Sequence, residues 1–77
     1  LTTARSDRER LASDIVDAWL KEKRRWSYAT TDFPAPGYAV RCDGVKTGWL
    51  PRTLEWRDTF DAMVNRACAR AVIEVME

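Results

Sequence analysis

Histidine is absent from this chain, and that absence narrows its chemistry more than any residue present. Without imidazole the chain lacks the commonest general base, the commonest metal ligand and the usual partner of a nucleophilic serine or cysteine. Cysteine is scarce too. Cys42 and Cys68 stand far apart in sequence, whereas a zinc site needs ligands in close pairs. Two free, buried thiols are the expectation, ahead of a single disulfide. The three glycines, Gly37, Gly44 and Gly48, fall at turns or on a hairpin, so no phosphate-cradling loop exists. No apolar run approaches the ~20 residues of a membrane span, and Leu1–Arg5 has none of the features of a signal peptide. A cytoplasmic location is the expectation from these points. An excess of one charge sign is missing as well. Thirteen basic and twelve acidic residues leave a net charge of +1, too little to steer the whole molecule to nucleic acid or membrane. Asp14 with Asp17 and Asp58 with Asp61 could meet a cation, but no third ligand accompanies either pair, and both read as solvated helix faces. No enzyme activity, cofactor, metal or small-molecule substrate is expected.

What the chain does have is apolar bulk. Hydrophobic residues make up 45% and charged residues 32%, which places it among globular domains. Its 77 residues make one domain, with Leu1–Arg5 as a candidate flexible tail. A chain this short buries only roughly 60% of its unfolded surface, so it must pack densely or lean on a partner. Trp19, Trp26, Trp49 and Trp56 are first of all core staples.

Periodicity divides the chain into four or five elements. Ser6-Asp7-Arg8-Glu9 has the form of a capping box. Leu11, Ile15, Ala18 and Trp19 follow at helical spacing, with Ala12, Val16 and Leu20 widening the stripe. Asp7 and Glu9 at one end and Lys21, Lys23, Arg24 and Arg25 at the other suit the helix dipole, so a helix over Ser6–Arg25 is predicted. Trp26–Thr31 is rich in strand formers and is a candidate strand. The prolines of Phe33-Pro34-Ala35-Pro36-Gly37 interrupt any ladder. Tyr38, Val40 and Cys42 then alternate with polar or small residues, Asp43-Gly44 suits a type I′ turn, and Val45, Thr47 and Trp49 continue the alternation. A hairpin of Tyr38–Cys42 and Val45–Trp49 is predicted. Thr53 is the expected N-cap of a last helix from Leu54 to the C-terminus, its inner strip led by Trp56, Phe60 and Met63 beside Val64 and Cys68. The fold class is therefore α+β: a helix, an antiparallel hairpin or three-strand meander, and a helix, with both helices packed on one face of the sheet.

Three features could carry function. The first is the basic end of the first helix, Lys21, Lys23, Arg24 and Arg25, with Trp26 next to it and Arg41, Lys46 and Arg52 within reach once the hairpin folds. Guanidinium forks suit carboxylates and phosphates, although basic residues belong at a helix C-terminus in any case. The second is the proline-stiffened loop that presents Phe33 and Tyr38, aromatic residues on a rigid frame that loses little entropy on docking. The third is the free edge of a short sheet. Together they favour a non-catalytic protein-interaction module, an adaptor or inhibitor of a larger protein machine. By analogy of class alone, small phage and mobile-element proteins that act on transcription or defence machinery are of this kind. A nucleic-acid-binding domain using the basic helix end and the sheet is the alternative, and the even charge balance counts against it.

Overall fold

The computed structural model describes residues 2–77, with side chains from Asp7 onward. The order is α1 (Thr2–Arg25), β1 (Trp26–Thr31), β2 (Gly37–Cys42), β3 (Val45–Pro51) and α2 (Trp56–Met76). The fold is α+β, and the sheet is an antiparallel meander in the order β1-β2-β3.

Helix α1 begins before the expected start at Ser6. Thr2–Arg5 contains no glycine or proline, so nothing stops the helix from propagating into it. Ser6 therefore lies within the helix, and its side chain, proposed above as a cap, is outside the described residues. Asp7 and Glu9 fall beyond the first turn, which holds no acidic residue. The basic C-terminal turn is as expected, with Lys23, Arg24 and Arg25.

Strand β1 follows α1 without a linker, because the aromatic and β-branched run Trp26–Thr31 prefers a pleated surface. It pairs residue for residue with β2, from Trp26 opposite Cys42 to Thr31 opposite Gly37. The loop that follows is pinned by Thr31, whose Oγ1 donates to the Phe33 carbonyl at 3.0 Å and accepts from the Phe33 amide at 3.2 Å.

The hairpin turn has the expected form. Asp43 and Gly44 have φ of 55° and 79°, and Cys42 pairs with Val45 across the two residues. Only the first part of β3 keeps the expected phase. Val40 faces Gly48 while Arg41 faces Lys46, which leaves Thr47 unmatched in a β-bulge. The extra residue reverses the alternation. Leu50, opposite Tyr38, turns toward the core, and Trp49 does not share a face with Val45 as the alternation had predicted. The Trp49 ring lies instead over Gly37 on the other side of the sheet, so close that a Cβ on Gly37 would come within 2.8 Å of it.

Helix α2 starts at Trp56, and Thr53 is not its cap. The N-cap position is Glu55, which makes no side-chain cap bond; Thr59 Oγ1 instead donates back to the Glu55 carbonyl at 3.1 Å. Leu54 stays in the preceding turn, 99% exposed. Phe60, Val64 and Cys68 recur at helical spacing, and with Val40 of β2 they form the buried cluster. Trp19, Trp26, Leu50 and Met63 pack against it. Phe60 and Trp56 meet the sheet face that carries Tyr28 and Tyr38, while α1 runs beside α2 and reaches the cluster through Trp19. The tryptophans are half-buried staples, none of them fully enclosed.

Candidate functional site

Strand β1 and helix α2 leave a groove of about 600 Å³ between them. Its apolar lining comes from Trp26 and Tyr28 on β1 and from Phe60 and Val64 on α2. Its rim is polar, with Lys23 from the last turns of α1 and Arg57, Asp61 and Asn65 from α2. The volume lies within the range of small ligand or side-chain pockets.

An aromatic stack closes one end of this region. Tyr38 lies parallel to Trp56 with ring centroids 3.7 Å apart, and the Tyr28 ring meets Trp56 and Phe60 edge-on at 5.0 and 5.1 Å. Arg57 caps the cluster, its guanidinium 5.1 Å from the Tyr28 ring. Arg57 Nη1 donates to the Tyr28 hydroxyl at 2.7 Å, and Nε donates to Asp61 at 3.3 Å. Its charge is thus already matched by a carboxylate. Lys23 sits 5.1 Å from the Trp19 ring and has no carboxylate partner among the described residues.

The residues singled out in the sequence do not gather on one surface. Lys23 and Trp26 meet in the groove. Arg25 turns away from it, with Nη1 on Glu22 at 2.8 Å and Nη2 on Asp43 at 2.9 Å. Its hydrogen bonds to Asp43, then to Glu22, raise its already high pKa further. Its backbone carbonyl also accepts from the Asp43 amide at 2.8 Å, so Arg25 ties the hairpin tip to the end of α1. Trp26 Nε1 donates to Glu22 at 3.2 Å. Lys21 and Arg24 remain exposed. Tyr38 is committed to the Trp56 stack, with Arg52 5.9 Å from its ring, whereas Phe33 is 79% exposed at the loop. Arg41 and Lys46 face each other across β2 and β3 on the side of the sheet that carries Trp49.

Sequence reasoning missed the α2 wall. Arg57 and Asp61 stand at i,i+4 spacing on one helix, and nothing in that spacing signals that Tyr28 lies under them.

Both cysteines are free thiols. Cys68 is fully buried, its Sγ 3.5 Å from the Trp19 carbonyl, and burial raises its pKa. Cys42 is only half-buried. Comparison with protein-family models, with curated proteins and with solved structures finds no match.

Proposed function

We propose that this chain is a non-catalytic protein-interaction module, an adaptor or inhibitor that docks on a larger protein. One observation carries this reading: the chain exposes more surface than its mass requires. A compact monomer of 8.9 kDa exposes about 4,800 Å², and this one exposes 5975 Å². The radius of gyration is 16.6 Å, against about 11.5 Å for a compact chain of this length. The surplus includes large apolar side chains, among them Val16, Phe33, Leu54, Ile73 and Met76, each more than half exposed. These side chains are distributed over several elements, and on an extended surface they give a partner apolar points of contact, with Phe33 and Leu54 the most exposed. Engagement of Arg25 by Glu22 and Asp43 leaves a mixed charge pattern at the helix end, which suits a protein surface better than a phosphate backbone.

A second reading has one observation in its favour. The sheet face that holds Trp49 also carries Arg41 and Lys46, and the strand register places no acidic residue on it. A basic face with an aromatic ring suits single-stranded nucleic acid. The test is affinity capture on the tagged domain from its source cell, in parallel with and without nuclease. The expected result is a protein that is retained in both arms and lost when Phe33 and Leu54 are replaced by serine. Retention abolished by nuclease would turn the assignment to nucleic acid, and retention of nothing would refute the interaction module.

A further inference from the structure

The two edges of the sheet are built differently. β3 is guarded. Lys46 stands on it, the Thr47 bulge breaks its regular pairing, and Pro51 ends it. These are the devices by which a sheet refuses another strand. β1 has none of them. Its six residues carry no charge and no proline, and all pair one-for-one with β2.

The direction of its free backbone groups follows from the ladder. The Asp43 amide donates to the Arg25 carbonyl, so Arg25 and Asp43 form a hydrogen-bonded pair. In an antiparallel ladder such pairs alternate with non-bonded ones. Ser27, Ala29 and Thr31 therefore bond to β2, and the N–H and C=O groups of Tyr28 and Thr30 point outward. No backbone hydrogen bond from the other described elements reaches them. The groove between β1 and α2 lies along this same edge, lined by Trp26, Tyr28, Phe60 and Val64.

We propose that the β1 edge binds an extended segment of the partner protein. The segment adds as a fourth strand, seats a large apolar side chain in the β1–α2 groove, and presents a carboxylate to Lys23. This deepens the protein-interaction reading above and rests on it. Strand addition gives affinity through main-chain bonds, and pockets for alternate side chains give selectivity. The charge preference follows from the groove rim, where Arg57 is matched by Asp61 while Lys23, among the described residues, meets the Trp19 ring and no carboxylate. A second copy of this chain fits less well. Its own β1 would bring Trp26 and Tyr28, which are already packed into its own core and aromatic stack, and so has no free apolar side chain to insert.

The test uses a fluorescein-labelled peptide, Glu-Val-Phe-Val-Thr-Val, titrated with the full chain. Thr30→Pro removes one outward donor and leaves the β1–β2 ladder intact. Asn65→Trp fills the groove from the α2 side. Saturable binding to the wild type is expected, weakened about tenfold or more by either change with the melting temperature preserved. Lys23→Gln is expected to weaken it several-fold, an effect that shrinks with salt. If Thr30→Pro fails to fold, Asn65→Trp and a peptide N-methylated at alternate residues carry the same test. No saturable binding up to about 1 mM, or binding indifferent to both blocks, overturns the proposal. A dimer in sedimentation that Thr30→Pro dissociates also overturns it, by placing a second copy on the edge. Captured protein that still binds both blocked variants removes strand addition and leaves the interaction module standing.

Discussion

Replacing Phe60 with alanine is the sharpest test of the architecture. Phe60 is 7% exposed and is the largest member of a buried cluster that otherwise contains Val40, Val64 and Cys68. Its burial contributes about 1.5–3 kcal/mol of transfer free energy. The edge-on contact with Tyr28 at 5.1 Å adds about 0.5–1.5 kcal/mol. The cavity left behind is not readily filled, because Val40 and Val64 are β-branched and held on rigid elements. The expected total is about 3–5 kcal/mol. A domain of 77 residues at ordinary per-residue stability has roughly 4–12 kcal/mol to lose. At about 4–8 °C per kcal/mol, the melting temperature should fall by 12 °C or more, or the chain should fail to fold. Thermal melts by circular dichroism, with Phe60→Leu as a volume-sparing control, measure this directly. A Phe60→Ala chain that melts within about 5 °C of wild type, less than the shift of a single large core deletion, would show that the β2–α2 cluster is not the core.

Four further outcomes are expected. Gly44→Val should destabilise the hairpin while Gly44→Asn is tolerated, because φ is +79° and a Cβ there meets nothing within 4 Å, which leaves conformational strain as the cost; equal melting temperatures would refute the turn type. Gly37→Ala should lower stability and perturb the tryptophan emission, since the new Cβ would overlap the Leu50 carbonyl as well as the Trp49 indole; an unchanged melting temperature would refute this close approach. A thiol reagent should label Cys42 at once and Cys68 only on unfolding, and equal rates would contradict the burial of Cys68. The raised pKa of Cys68 sets a pH dependence: the unfolded thiol ionises first, so this contribution to stability is complete below pH about 8.5 and declines as pH rises through the folded pKa. Denaturant melts of wild type and Cys68→Ala across that window should show a steeper alkaline decline for the wild type, and parallel declines would exclude the thiol as the cause.

Local rules in the sequence were enough for several elements. The Asp43-Gly44 turn needs two residues with positive φ and has the dipeptide that tolerates them, so its form and the Cys42–Val45 pairing were legible without any tertiary contact. The apolar strip led by Trp56, Phe60 and Met63 likewise located the inner side of α2, although its buried line runs through Phe60, Val64 and Cys68, and the basic turn Lys23–Arg25 marked the end of α1. Other features depend on which groups meet across the chain. The Thr47 bulge is invisible in alternation alone, because one unmatched residue preserves composition while it moves Leu50 to the core and Trp49 to the opposite face. Arg25 stood in the sequence as one member of a basic helix end, and only the hairpin tip brings Asp43 to it. The open edge of β1 and the groove beside α2 were beyond the sequence for the same reason. Strand order and the packing of a helix set 29 positions away in sequence from Tyr28 are decided by long-range burial, which no local propensity encodes.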